Sequence, residues 1–356
     1  MDWLRSSASR LGGRPALLYE DATLTYAALD AAADAAAADL AASGVVPGDR
    51  VALWGESDPA TVAALWGIPR AGGTAVVLSP RLLPSQAMDR ARAAGVRAVW
   101  GRGPDLSLPR ARRHRVPPAD RWGPPHPEAR LVVFTSGTTG GGRPVVLTGE
   151  NLTAAAAASQ ARLGNGPGDR WLGVLPLYHV GGLSIVWRSF REGGTVVLES
   201  AFDAGRAAAL LASGTVAFAS LVPTMLRRVL AVHGGPFPGV QAVLVGGGPS
   251  EPDLLAVARG CGLPVLQTYG MTETASQVAT EHLSEAGQRP GSAGRPLEGF
   301  EVRAVDAEGR ALPPGVEGML EVRGRAVSPG YLAEPPRAEG SWYRTGDAGR
   351  LDADGY

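Results

Sequence analysis

The residues between Leu131 and Thr148 could hold a polyanion. They read LVVF, TSGTTGGGRP and VVLT: glycines and hydroxyls between two short apolar segments of strand type. Glycine lets successive backbone N–H groups turn toward one point, and an anionic phosphate is the natural guest of such a nest. Ser136, Thr138 and Thr139 add hydroxyl donors, and Arg143 adds a permanent positive charge. Gly137, Gly142 and Arg143 fall at the spacing of a Walker A loop. Yet Arg143 stands where the lysine belongs, Pro144 stands where a Mg²⁺-binding hydroxyl belongs, and a strand follows instead of a helix. An ordinary P-loop NTPase does not fit. The alternative reading of this stretch is a surface hairpin.

Other stretches offer complementary chemistry. Gly246–Gly248 follow an apolar strand and permit close backbone approach to a flat base. Tyr269-Gly270-Met271-Thr272-Glu273 supplies a ring, a hydroxyl and a carboxylate. Glu273 could hold Mg²⁺ against phosphate oxygens, or simply open a helix. Asp347, in the turn TGD, could accept hydrogen bonds from two ribose hydroxyls, or serve only the turn. His179, in PLYHVGG after a strand, is either structural or placed beside reacting groups. These parts suit a nucleotide.

The composition narrows the class. A chain of 356 residues with 45% hydrophobic content can bury a large core and is expected to form two or more lobes. Zero formal net charge gives no reason to expect nucleic acid or an acidic membrane as partner. A single cysteine, Cys261, excludes an intrachain disulfide and a multi-cysteine metal site. The N-terminal MDWLRSSASR has no apolar leader core, and no later run is long enough to span a bilayer, so a cytoplasmic protein is expected. All 34 basic residues are arginine. GC-rich codon usage accounts for such a bias, but no lysine of these residues can act as a base or a mobile point charge.

The elements that must position these groups alternate. Thr25 caps a predicted helix over Tyr26–Ser43, Val51–Trp54 reads as a strand, and Asp58-Pro59 opens a second helix. Gly67 and Pro69 are expected to kink or end that helix early. Strands at Thr74–Leu78 and Val96–Trp100 flank a helix over Ser85–Ala94. The prolines of Gly101–Arg130 break the rhythm. Its run Arg110–Arg115 is either an anion patch or a solvated loop. Asn151 is a candidate cap for a helix to about Leu163, and Ser250 with Asp253 has the form of a capping box. Such alternation predicts right-handed βαβ units and parallel sheets, whose ligands bind at the carboxyl ends of strands. From about Pro290, short β-type runs between Gly/Pro turns predict a small barrel or β lobe. The chain stops at WYRTGDAGRLDADGY with a strand just begun, as if cut.

Together these segments resemble the adenylate-forming superfamily of acyl-CoA synthetases, peptide-synthetase adenylation domains and luciferases. TSGTTGGGRP is similar to its phosphate loop, YGMTE to its adenine and Mg²⁺ motif, and YRTGD to its ribose motif. PLYHVGGLSIVWRS, SLVPTMLRR and LQTYGMTETASQVAT are most similar to the o-succinylbenzoate–CoA ligases of menaquinone synthesis. The resemblance implies an α/β fold: the layered αβαβα large N-terminal domain with a small distorted β-barrel lobe, the C-terminal domain being absent. The expected lobes are residues 1–165, 166–289 and 290–356. It implies ATP, Mg²⁺ and coenzyme A as ligands, a small carboxylate as substrate, and by analogy a homodimer. Thr135, Ser136, Gly137, Thr138, Thr139, Gly140 and Arg143 would hold the β- and γ-phosphates, Thr272 the α-phosphate, Glu273 the metal and Asp347 the ribose. Gly247, Gly248, Gln267, Tyr269, Gly270 and Met271 would surround the adenine, and His179, Ser184, Ser220, Thr224 and Gly247 the acyl group.

Two departures from the family pattern bear on activity. Arg143 replaces the family's loop lysine, exchanging a compact ammonium for a planar fork. The family's C-terminal domain supplies a lysine to the adenylation transition state, and loss of one such charge costs on the order of 10²–10³ in rate. The expectation is a chain that binds ATP or acyl adenylate but adenylates slowly by itself. The alternatives are an enzyme for another aryl or short acid, one that loads a carrier protein, and a standalone nucleotide-binding module.

Overall fold

A computed structural model describes residues 2–101, 128–135 and 142–356. Two sheets carry most of the strands. The six-stranded sheet has the spatial order Gly330–Tyr331, Pro144–Thr148, Ala129–Phe134, Thr74–Val77, Arg50–Trp54, Ala98–Gly101. Its last four strands are parallel, and Pro144–Thr148 turns back antiparallel on Ala129–Phe134. The nine-stranded sheet runs Arg295–Pro296, Ser276–Thr280, Val265–Met271, Ala242–Val245, Phe218–Leu221, Arg170–Gly173, Thr195–Leu198, Pro15–Tyr19, Ala22–Thr25. Its middle is parallel and both edges are antiparallel.

Helices Trp3–Leu11, Tyr26–Ala42, Pro59–Arg70 and Val180–Glu192 fill the space between the sheets. Pro84–Ala93 covers the far face of the smaller sheet, and Ala204–Ala212, Pro223–Val232 and Pro252–Gly260 cover that of the larger one. The layers are therefore αβαβα, and strands buried on both faces explain the near-continuous Val/Leu/Ala runs. A three-stranded antiparallel sheet, Phe300–Val305, Gly318–Gly324 and Tyr343–Gly349, forms the small lobe. Phe300, Val322 and Val327 join it to Ala158 of helix Gly149–Leu163 and to Val278.

Local chemistry explains the helices. Thr25 caps Tyr26–Ala42 through Oγ1, which accepts from Ala28 N at 3.2 Å, and Leu29, Ala33, Ala36 and Leu40 make its buried stripe. Asp58 caps Pro59–Arg70 at 2.7 Å. That helix does not end early. Pro69 falls in its last turn, and a Cβ on Gly67 would lie 2.6 Å from Cβ of Ala36 and 2.9 Å from the Ala33 carbonyl. Gly67 is thus the contact at which two helices close on each other. Thr148, rather than Asn151, caps Gly149–Leu163, and Asn151 completes the reciprocal capping box. The expected box at Ser250 does not form, since Glu251 is the N-cap and gives no side-chain bond.

The N-terminal hairpin Pro15–Thr25 lies at the edge of the larger sheet, and Gly330–Tyr331 lies at the edge of the smaller one. Among the described residues, no helix is long and apolar enough to cross a membrane. Arg110–Arg115 and the loop residues Ser136, Gly137, Thr138, Thr139 and Gly140 lie outside the described residues.

Candidate active site

Sheet register brings the two ends of the glycine loop together. Thr135 N donates to the Arg143 carbonyl at 3.0 Å, and Arg143 N donates to Thr135 Oγ1 at 2.9 Å. The Arg143 side chain leaves this closure and meets residues far along the chain. Its Cζ stands 3.3 Å from the centroid of the Tyr331 ring, and Nη2 pairs with Glu334 Oε1 at 2.6 Å. Both partners arrive because Gly330–Tyr331 pairs with Val145–Val146, and Leu332 N reaches the Pro144 carbonyl at 2.8 Å.

The same tyrosine reaches the second motif. Its hydroxyl donates to Glu273 Oε1 at 2.7 Å and contacts the Tyr343 hydroxyl at 2.9 Å. Glu273 is only 9% exposed, and no basic side chain among the described residues pairs with it. Burial first, then the bonds to Tyr343 and Glu273, hold the Tyr331 hydroxyl far above the usual phenol range, so it remains a donor. The strand Val265 begins does not stop before the motif. It continues to Met271, pairs with Ser276–Thr280, and is joined to it by the 3₁₀ turn Thr272–Thr274. Thr274 Oγ1 closes that turn on the Met271 backbone.

Tyr269 sends its hydroxyl to Asp347 Oδ2 at 2.6 Å, joining the second motif to the third. Burial first, then this bond, also raises the Tyr269 hydroxyl beyond the ordinary phenol range. Gly270 is required by the hairpin itself, because a Cβ there would lie 1.8 Å from the Ser276 carbonyl. The Gln267 backbone N–H is held by Glu281 Oε2 at 2.7 Å. Gly247 has φ +76°, the left-handed region, and a Cβ on Gly248 would meet nothing within 4 Å. These glycines follow Ala242–Val245, beside the end of Phe218–Leu221, so Ser220 and Gly247 lie at neighbouring strand ends, with Thr224 in the first turn of helix Pro223–Val232. Thr224 is exposed; Ser220 Oγ is buried and without a hydrogen-bond partner.

His179 precedes helix Val180–Glu192 and its ring lies 4.6 Å from that of Tyr178. Desolvation by its surroundings, then the charge of Arg81, lowers its pKa below the ordinary 6.5. One turn into this helix Ser184 Oγ donates to the Gly181 carbonyl at 2.8 Å and accepts from Arg188 Nη2 at 2.7 Å. Arg188 is 2% exposed, its Cζ 4.6 Å from the Trp171 ring centroid, and its Nη1 has no hydrogen-bond partner. Burial pushes its guanidinium down to about 9, which leaves it charged at neutral pH. Ser184, Trp187 and Arg188 line a narrow cavity with Ala275, Ser276 and Gln277, immediately after the Glu273 turn.

Side chains thus make two groups, Arg143–Tyr331–Glu273 with Tyr343, and Tyr269–Asp347, and the backbone of the YGMTE motif carries a member of each. Among the described residues, His179, Ser220, Thr224 and the Gly247 loop make no side-chain bond to either group. Tyr331, Tyr343, Glu334 and Arg188 escaped the sequence reading. Arg188 alone carried a signal there, as a charge inside the apolar helix run LSIVWRSF.

The AMP-binding enzyme family matches residues 4–332. A 2-succinylbenzoate–CoA ligase of Listeria monocytogenes is 32% identical over 370 aligned positions, covering 100% of this chain and 77% of that protein. One from a Geobacillus strain is 39% identical over 231, covering 63% and 47%. The Bacillus subtilis o-succinylbenzoate coenzyme A synthetase, in complex with the acyl-adenylate intermediate, superposes with a TM-score of 0.88 at 30% identity, covering 99% of this chain and 97% of that one. The same enzyme in complex with ATP and a magnesium ion gives 0.87 at 30% identity, covering 99% and 78%. The chain belongs to the AMP-binding enzyme family.

Proposed function

We propose that this chain is the adenylating part of an AMP-forming acid–CoA ligase acting on an aromatic dicarboxylate, 2-succinylbenzoate. The observation that carries the substrate is Arg188. It is a buried cation that pairs with no carboxylate among the described residues, and it has a free Nη1 beside a cavity. An uncompensated buried charge is costly, and a substrate carboxylate would neutralise it. A monocarboxylic acid spends its one carboxylate at the phosphate; a dicarboxylate has a second for Arg188 and Ser184. The names of the relatives support the same acid.

In the first half-reaction a carboxylate oxygen bonds to the α-phosphorus of ATP, the bond to the bridging oxygen breaks, and pyrophosphate leaves. Two anions must meet, so preorganised donors and positive charge are the main requirement. Arg143 and the loop from Thr135 would take the β- and γ-phosphates, Thr272 the α-phosphate, and Asp347 the ribose. Tyr269 and the Gly247–Gly248 loop would flank the adenine, and His179 the acyl group. A hard carboxylate with no basic partner among the described residues fits Mg²⁺, which takes one or two protein carboxylates and completes its shell with phosphate oxygens and water. Bound through Glu273, the ion would offset charge on the phosphates. In the second half-reaction the thiolate of coenzyme A attacks the acyl carbon and AMP leaves. The 356 residues contain no lysine, so any ammonium at the α-phosphate comes from outside them. Assayed by themselves they are expected to hold the adenylate and turn over slowly.

The test is thermal stabilisation by acids in the presence of ATP and Mg²⁺. A ligand at 100 times its Kd stabilises by about 2.7 kcal/mol whether or not it turns over. 2-Succinylbenzoate is expected to stabilise and its analogue without the ring carboxylate to do so weakly. Equal stabilisation by both, or by neither while another acid succeeds, refutes the substrate.

A further inference from the structure

We propose that Tyr331 is a positioning residue that couples the two arms of the triphosphate site, its ring seating Arg143 and its hydroxyl orienting Glu273. This rests on the reading of Glu273 as the metal carboxylate. The segment carrying Tyr331 is bonded to both arms by its backbone. Ser328 N donates to the Glu273 carbonyl at 2.7 Å, Ser328 Oγ donates to the Val146 carbonyl at 2.6 Å, and Gly330–Tyr331 pairs with Val145–Val146. Residues 328–331 thus pin the strand that leaves the glycine loop to the turn that carries Glu273.

The side chain repeats the connection. A carboxylate only accepts hydrogen bonds and a phenol has one proton, so Tyr331 donates to Glu273 and Tyr343 donates to Tyr331. The chain Tyr343 to Tyr331 to Glu273 holds Oε1, the Tyr343 hydroxyl also lies beside the same carboxylate, and the carboxylate's remaining lone pairs can take a cation. An acceptor bonded in this way keeps its orientation when the cation arrives, and such outer partners tune metal affinity. The ring face serves Arg143, whose planar guanidinium stacks where an ammonium would make only a point contact. The arginine at the loop and the tyrosine beneath it therefore form one unit.

The experiment measures ATP affinity by calorimetry in excess EDTA and again in saturating Mg²⁺, with Mn²⁺ electron paramagnetic resonance as a direct metal readout. Tyr331→Phe keeps the ring, so affinity in EDTA should stay within about twofold while the gain from metal falls about 10-fold. Tyr331→Leu loses both functions and should also weaken binding in EDTA, to the level of Arg143→Ala, with no further loss in the double variant. Tyr343→Phe should move the metal gain in the same direction by less, and it stands in if a Tyr331 variant does not fold. Glu273→Gln separates the two ideas. If it leaves the metal gain intact, the reading of Glu273 falls and this proposal with it. If it abolishes the gain while Tyr331→Phe and Tyr343→Phe do not change it, the proposal alone is overturned.

Discussion

The Tyr269 hydroxyl donates to Asp347 Oδ2 at 2.6 Å, across 78 residues of sequence. It turns the ribose carboxylate of the proposed site into a fixed acceptor. Asp347→Ala should weaken ATP binding by about 10- to 100-fold, the value of hydrogen bonds to a charged group. It should also erase the preference for ATP over its 2′,3′-dideoxy analogue. Tyr269→Phe frees the carboxylate and should lower that preference without erasing it. Competition binding with the two nucleotides checks both.

Arg143 and Glu334 form a pair whose side chains are 57% and 52% exposed. Exposed pairs contribute little, so Glu334→Gln should change unfolding free energy by less than about 1 kcal/mol. Glu334 nevertheless competes for the guanidinium that the phosphates would need. ATP should bind the variant about 2- to 5-fold more tightly, and the gain should shrink at high salt. Titrations at two ionic strengths decide it.

Arg188→Met replaces a buried cation by an apolar side chain of similar length. Apo stability should hold or rise, by up to about 1–4 kcal/mol if the buried charge is costly here. Affinity for the dicarboxylate should fall about 100-fold, and affinity for the analogue without the ring carboxylate should not change. Denaturant melts and acid titrations with both ligands test the two halves separately.

Two glycines of the motifs should behave in opposite ways. Gly270→Ala puts a Cβ 1.8 Å from the Ser276 carbonyl and should cost about 3 kcal/mol or more of stability, read from denaturant unfolding. Gly248→Ala enters open space and should leave stability unchanged. Any loss of nucleotide binding in Gly248→Ala then reports contact with the ligand.

His179 has a folded pKa below its ordinary 6.5, through desolvation and then Arg81. Below 6.5 the unfolded state takes up the proton more readily than the folded one. The contribution is therefore complete above that value and is lost as pH falls through it. The melting temperature of His179→Asn should drop less than that of the parent between pH 7 and pH 5. Parallel melts across that range measure the difference.

Much of the scaffold was legible because its period is local. Helix Tyr26–Ala42 announces itself by Thr25, its alanines and Gly44, and the parallel strands by β-branched runs between caps. The edges were not legible. Gly330–Tyr331 is two residues long and shows no period, and Pro15–Tyr19 joins a sheet whose next strand, Thr195–Leu198, lies far along the chain. Val265–Met271 runs through the YGM residues because pairing with Ser276–Thr280, not propensity, extends it.

The sequence by itself determined the chemical types at the site: cations that are all arginine, a glycine loop ending in Arg143, a carboxylate in YGMTE and another in TGD. Their order along the chain was enough to indicate the family. Only the tertiary structure decided what each group touches. Arg143 meets Glu334 across 191 residues, and Glu273 meets Tyr331 across 58. Such neighbours follow from the register of long-range strand pairs, where a slip of one residue turns every side chain to the opposite face. Arg188 shows the same division. Its charge is in the sequence, but its burial without a carboxylate partner among the described residues depends on how helix Val180–Glu192 packs against Trp171 and the Glu273 turn.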